Sequence, residues 1–370
     1  VVVVLRPFPL LMHAKPSLLR IAGRIGLNVL IALIGAYGLS VSSFLVLRAL
    51  AGERWPVIGL YNSFLHLLIA PALVALLISL LLRKWWLVML VIAPALLFTG
   101  QYAPLFLPHS SAPPPEAIPF TVLSYNINTG NLDTASVLTV IRAAEADIVA
   151  LQELNPVMAD AFAAELAEMY PYQALHPSED FSGQGLLSRY PVTADDYWAV
   201  NLGHQRSLVE IGGQTIVIYN THPTHPLRGL LRFDGEPRSS AIRDVLARAE
   251  GETLPVMLIG DFNMSDLSED YARVTARYGD VYREVGWGMG FTFPSPGNAF
   301  GWGFVQALLA RIDYVFVDGA FTPLDARVLE SDGGSDHRPL WARVALGASM
   351  HEAPKSDQNV TLSTAFYATL

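Results

Sequence analysis

Apolar residues form three long runs near the start of the chain, over 25–47, 55–82 and 85–108, with Arg24, Arg48, Arg54, Arg83 and Lys84 beside them. Each run reaches the roughly 20 residues that a helix needs to cross the hydrocarbon of a bilayer. Three in succession are too long for a cleaved leader. They predict three transmembrane helices over 25–108, after an N-terminal segment over 1–24. Trp55, Trp85 and Trp86 fall at predicted ends, where aromatic rings favour the membrane interface. His66, in the second run, has no charged partner in the other two and reads as a neutral ring packed between helices.

The pattern changes after a Pro-rich stretch over 109–117, which reads as a stiff, extended spacer. Short apolar runs over 120–126, 147–153, 214–220, 255–260 and 312–317 read as strands. Between them, Asp133 or Thr134 can cap a helix whose apolar face is Val137, Leu138, Ile141 and Ala144. Further helices are expected over 156–169, 239–249 and 268–278. Strands alternating with helices predict an α/β sandwich over 118–346. The polar tail over 347–370 is expected to be disordered.

Composition adds two exclusions and an orientation. The chain has no Cys, which removes disulfides, thiolate metal sites and a Cys nucleophile. Charged residues make up 15%, against about a quarter in soluble proteins. Arg6, Lys15, Arg20, Arg24, Arg83 and Lys84 would lie on one side of the bilayer, and only Arg48 and Arg54 on the other. The positive-inside rule then puts the N-terminus in the cytoplasm. The expected product is a multi-pass protein of the plasma (inner) membrane with its globular domain on the extracytoplasmic side.

Polar side chains cluster where the apolar strands end. Asn126 and Glu153 close two of them, Asn220 and His222 a third, and Asp261 and Asn263 follow a fourth. Asp313 opens another, and Asp336 and His337 follow a Gly-Gly-Ser turn. One such residue is usually a turn or cap; a set delivered to one rim of a sheet is more specific. Leu123-Ser-Tyr-Asn126, Leu151-Gln-Glu153, Gly185-Leu-Leu-Ser-Arg-Tyr-Pro191, Asn220-Thr-His222, Gly260-Asp-Phe-Asn263, Arg311-Ile-Asp-Tyr314 and Ser335-Asp-His337 occur in that order. In these motifs the chain resembles the endonuclease/exonuclease/phosphatase superfamily.

The resemblance implies a four-layered α/β sandwich, two mixed sheets with helices outside, that hydrolyses phosphate esters. It implies Mg²⁺ or Mn²⁺, which the oxygen donors here also suit. Glu153 would be the principal metal ligand, with Asn126 and Asp336 assisting. Asp261 would orient or deprotonate the attacking water, and Asn263 would hold that water or a phosphate oxygen. His337 would donate to the phosphate with Asp313 accepting from its other nitrogen, and His222 would contact the phosphate or assist the leaving group. Arg189 could reach the phosphate or pair with a carboxylate. Tyr125 and Tyr219 should point to the opposite faces of their strands.

Charge bears on the substrate. Residues 118–346 hold 15 Arg, no Lys and 29 Asp plus Glu, a net of −14. Nucleic-acid binding draws on Lys and Arg, so the balance favours a small or lipid-borne phosphate ester and disfavours nucleic acid; a membrane-anchored nuclease is the alternative. Six aromatics and five Gly lie over 286–293 and 300–304. This segment either dips into the bilayer interface to admit a lipid headgroup or packs as a covered lid.

Overall fold

The structure is a computed structural model and describes residues 18–107, 111–227, 232–296 and 309–347. The predicted tail over 348–370 and the aromatic positions over 300–304 lie outside the described residues. The first apolar run forms α1 (Leu18–Ala51), which continues through a 3-10 turn to Arg54. The third forms α5 (Trp85–Tyr102). The spans Leu18–Arg54 and Trp85–Phe106 are long and apolar enough to cross a membrane.

The second run corrects the expectation of three continuous spans. It divides into α2 (Pro56–Ser63), α3 (Leu65–Ile69) and α4 (Pro71–Leu81), and the chain bends by 73° between Ser63 and Leu65. Phe64 leaves helical geometry at φ −119°, ψ 19°. Pro71 has no N–H to continue a helical ladder. Hydropathy registers only composition, whereas the break is stabilised by bonds to the rest of the protein: Asn62, at the end of α2, donates to the Leu267 carbonyl at 2.8 Å.

Close approach of α1 and α5 depends on Gly38, where an added Cβ would lie 2.8 Å from Val91. Small residues allow such contact where apolar solvent offers no hydrophobic drive. On the outer faces Leu19, Leu33, Leu50, Val74, Leu77, Leu81 and Met89 are exposed. An apolar surface of this extent is costly in water and points to membrane association.

Two six-stranded sheets form the globular domain. The first contains β1 (Ile118–Asn126), β2 (Ile148–Gln152), β3 (Tyr172–His176) and β4 (Gln184–Ser188), with β11 (Phe321–Val328) and β12 (Leu340–Leu346). Its order is β11-β12-β1-β2-β4-β3. The second contains β5 (Val192–Val200), β6 (Leu202–Ile211), β7 (Gln214–Thr221), β8 (Val256–Asp261), β9 (Gly279–Asp280) and β10 (Asp313–Val317), in the order β5-β6-β7-β8-β10-β9. Each sheet is antiparallel except for one parallel pair near its centre, β1 with β2 and β7 with β8.

Alternation along these strands separates the layers. Val122, Ile148 and Leu186 of the first sheet meet Ile218, Ile259 and Val315 of the second in one buried core. Leu123, Tyr125 and Val149 face the other way, against α6 (Thr134–Ala144) and α7 (Pro156–Glu165). Tyr219, Leu258 and Phe316 pack on α8 (Glu236–Glu250) and α9 (Glu269–Thr275). A short α10 (Val281–Val285) adds Val281 and Tyr282 to the inter-sheet core. Helix, sheet, sheet and helix thus make the four expected layers. Asp133 caps α6 as its position suggests, accepting from the Ser136 amide. The helices expected over 156–169 and 268–278 are shorter, ending at Glu165 and Thr275, and that over 239–249 starts three residues earlier at Glu236.

The N-terminal helices dock on this domain through polar bonds. Arg48 and Asn62 both donate to the Leu267 carbonyl at 2.8 Å, and Tyr102 donates to Asp266 at 2.9 Å. Arg238, buried at 1% exposure, donates to Asp270 at 2.9 Å, to the Asn263 carbonyl at 3.1 Å and to Glu53 at 3.2 Å. Arg238→Met would leave the buried Asp270 and the half-buried Glu53 short of a partner. Breaking a buried pair this way costs about 3–5 kcal/mol, so the full chain in detergent should unfold at a clearly lower temperature. An unchanged midpoint would show that Arg238 does not hold the joint.

Candidate active site

Strand register explains which residues meet. In the parallel pair β1–β2, Asn126 lies beside Gln152, so Glu153 emerges next to Asn126 at the C-terminal rim. In the pair β7–β8, Thr221 lies beside Gly260, so His222 emerges next to Asp261. Across β8, Asp313 opens β10 directly opposite Asp261. Face-to-face packing of the sheets brings the two rims together. Gly260 is required here, since a Cβ on it would lie 2.0 Å from the Thr221 carbonyl oxygen. Glu153 and Asn263 take left-handed backbone at φ 59° and 49°, a conformation that stores strain outside glycine and recurs at functional sites.

Asn126 stands at the centre. Its amide nitrogen is 3.1 Å from Glu153 and 3.1 Å from Asp261, and its oxygen accepts from the Asn128 amide at 3.0 Å. The oxygen that sequence reasoning assigned to a metal therefore faces the backbone in this arrangement. Glu153 also accepts from the Thr129 amide at 2.9 Å. His222 directs Nε2 at Asp261 and Glu153, at 3.6 and 3.8 Å, while its Nδ1 lies 3.1 Å from the Phe181 carbonyl. A carbonyl can only accept, so Nδ1 carries a proton and Nε2 is the nitrogen presented to the site. His337 Nδ1 meets Asp313 at 2.9 Å, and its Nε2 lies 3.6 Å from Asp261. Asn263 bonds the Pro223 carbonyl and approaches Asp261 at 3.4 Å. Asp336 lies at the edge, half-buried, where Asn128 donates to it at 2.8 Å.

Burial sets the charge states. It opposes protonation of His337, but the charges of Asp313 and Asp261 and the bond to Asp313 outweigh it, and hold this imidazole well above its ordinary value. His222 is fully enclosed, and burial depresses it despite the neighbouring Asp261. Burial, with the negative charge of Asp313, pushes Asp261 up to about 6. Burial also raises Glu153, against the bonds from Thr129 and Asn126. The two histidines thus part in function, one held as a cation and one held neutral.

Among the described residues, Glu153, Asp261 and Asp313 form ion pairs only with His222 and His337. The Oδ1 atom of Asp313 is buried without a hydrogen-bond partner. Ligand atoms of Asp261, Asp313 and His337 lie within 4.8 Å of one another, a spacing that suits a metal ion, although His337 held as a cation has no lone pair to offer and leaves the two carboxylates as donors. This excess of buried anionic oxygen fits a hard divalent cation.

The remaining sequence candidates separate. Asn220 turns inward and bridges the sheets, donating to the Leu151 carbonyl and accepting from Gln152 at 2.7 Å. Arg189 takes the structural role, pairing with Asp147 at 3.2 Å. Tyr125 and Tyr219 face the outer helices, as alternation requires. His66 is buried, but its Nε2 bonds the Leu309 carbonyl of the globular domain at 2.6 Å, so it packs at the joint and not only between helices. Sequence reasoning missed Arg238, Thr129 and His204. His204 is buried behind the site against Thr221 and pushed down to about 3 by burial and the nearby His222. The Asn-Thr-Gly-Asn run over 128–131 was a readable turn signal for Thr129; Arg238 carried none.

A model of the endonuclease/exonuclease/phosphatase family matches residues 123–337, more than half of the chain and all of these motifs. The chain belongs to that family. Solved structures share its fold. An endonuclease/exonuclease/phosphatase from Bacteroides vulgatus is 19% identical with a TM-score of 0.51, covering 62% of this chain and 99% of its own. A humanized D. rerio TDP2 carrying 14 mutations is also 19% identical with a TM-score of 0.51, covering 61% and 98%. A functionally unknown conserved protein from Enterococcus faecalis is 18% identical at 0.51, covering 61% and 99%. No curated protein matches the chain. The family generally hydrolyses phosphate esters with a divalent metal, which agrees with the carboxylate-rich rim.

Asp313→Asn should lower phosphate-ester hydrolysis by about 10²–10⁴-fold, the range for a misplaced proton donor. His337→Ala should do the same, and the double variant should be little worse than either, because the pair acts as a unit. Fully additive losses in initial rate would mean that the two residues work independently.

Proposed function

We propose that this protein is a membrane-anchored, divalent-metal-dependent phosphoesterase whose substrate is a lipid-borne phosphate ester, phosphodiester or pyrophosphate. The observation that carries this reading is where the apolar helices dock. They bond to Asp266 and Leu267, in the loop that directly follows Asp261 and Asn263. A catalytic rim mounted this close to a membrane segment faces substrate in that membrane. The net charge of −14 over 118–346 supports the same choice over nucleic acid.

Orientation follows from two contacts. Glu53, just after α1, and Tyr102, at the end of α5, both bond the globular domain. The two helices therefore end on the same side, and the broken pair returns the chain between them. Arg20, Arg24, Arg83 and Lys84 lie toward the other ends of these helices. By the positive-inside rule that end is cytoplasmic and the catalytic domain extracytoplasmic.

Each residue then has a task. Glu153 would hold Mg²⁺ or Mn²⁺ with Asp336 and with Asn126, whose amide presents its oxygen after a half-turn. The bound cation would polarise the phosphoryl oxygen and offset charge developing on it. Asp261, with Asn263 beside it, orients the attacking water and accepts its proton. His337, held cationic by Asp313, donates to a non-bridging phosphate oxygen. His222 offers Nε2 to the phosphate or the leaving oxygen.

The test is hydrolysis by purified full-length protein with and without Mg²⁺, on plasmid DNA, sphingomyelin, glycerophospholipids and a polyprenyl pyrophosphate. Release from a lipid, abolished by EDTA and by Glu153→Ala, is the expected result. Cleavage of DNA alone would replace the proposal with the nuclease reading. Trp287 provides a second test. It is 63% exposed, and its ring stands 6.0 Å from Phe106, just beyond α5. Trp287→Ser should cut turnover of vesicle-borne substrate several-fold and spare a soluble ester. Equal loss on both would argue against an interfacial role; Trp302, its sequence companion, lies outside the described residues.

A further inference from the structure

An apolar cavity lies between the broken helix pair and the catalytic rim. Ser63 and Phe64, at the break, form one wall. Asn263 forms the second, and Phe293, Ala310 and Ile312 the third. The cavity touches the site at two places. Asn263 is a residue of the rim itself, 3.4 Å from Asp261. The Phe293 ring lies against the His337 imidazole, with centroids 4.9 Å apart. Phosphate bound to His337 would therefore have a largely carbon-lined space one ring's width away, and that space is bounded by both the domain and a segment of the apolar region.

We propose that this cavity receives the first carbons of the substrate's hydrocarbon chain, so that the substrate class is a phosphate ester carrying a flexible aliphatic or prenyl chain. The assignment rests on the phosphoesterase reading and deepens it. Three observations select this occupant. Carbon from Phe64, Leu227, Phe293 and Ile312 makes up most of the lining, with Ser63, His225, Asn263 and Ser265 its polar members, so the several hydroxyls of a sugar or nucleoside would find too few partners there, which is costly. One wall belongs to the apolar helices, which under the membrane-anchored reading would lie beside the bilayer that holds the chain. The opposite wall carries Asn263, so the polar end of the same molecule arrives at the carboxylates and His337. The sharp bend at Phe64 gives this geometry its purpose, because the break itself forms a wall.

The experiment uses the full chain in lipid nanodiscs with Mg²⁺ and a ladder of soluble alkyl phosphates and their methyl diesters, from ethyl to hexyl. Binding of the matching alkylphosphonates is measured in parallel. KM and Kd should fall about three- to fourfold for each methylene that becomes buried. Ala310→Phe and Ser63→Phe fill the cavity from opposite walls and lie outside the catalytic machinery. Each should flatten the ladder while leaving kcat/KM for the ethyl ester within about twofold of the unsubstituted protein. Hydrolysis without chain-length dependence, or a ladder that survives both substitutions, overturns the cavity assignment and leaves the phosphoesterase reading standing. Chain-length-dependent phosphonate binding that both substitutions abolish, with no ester hydrolysed, supports the cavity and overturns the hydrolytic reading.

Discussion

The guanidinium of Arg238 bonds three parts of the molecule at once, beside the bonds that Arg48, Asn62 and Tyr102 make to the same loop. One nitrogen bonds Asp270 at the start of α9, another the backbone of Asn263 in the site, and a third Glu53 beyond α1. A buried arginine is tolerated only when its donors are satisfied, so these partners are held together or the charge is stranded. Arg238 also lies near the start of α8, whose apolar side seats it against the second sheet. One group thereby links the position of the apolar helices to the conformation of the Asn263 loop.

Much of the domain was legible because its strands are short apolar runs that end in polar residues. The runs over 120–126 and 255–260 fall within two residues of β1 and β8. The edge strand β5 was not, since Thr193, Asp195 and Asp196 interrupt its pattern and most of it is exposed. The second apolar run departs from its expected form for a different reason. Its composition is apolar throughout, and the bend at Phe64 is braced by a bond from Asn62 to a carbonyl 205 residues away. No local signal encodes such a bond.

The candidate site shows the same division. Residue types at strand ends announced Glu153, Asp261, Asp313 and His337, and register brings them to one rim. What sequence did not contain was orientation: which atom of Asn126 faces the carboxylates, or which nitrogen of His222 is free. These depend on backbone groups of Asn128 and Phe181, positioned by loops whose paths follow from packing. Arg238 was invisible for a similar reason, being one of 15 Arg in the domain and 185 residues from Glu53.

The bonded joint between helices and domain has a kinetic consequence. A domain on a loose tether sweeps a volume, and its encounter rate follows bulk concentration. A domain bolted to its helices, as Arg48, Tyr102 and Arg238 bolt this one, would under membrane anchoring keep its carboxylate rim at a fixed height and sample a plane. Under the proposed function its rate would follow the surface density of substrate among neighbouring lipids. Spreading the substrate with inert lipid would slow it, whereas diluting the whole suspension of vesicles would not.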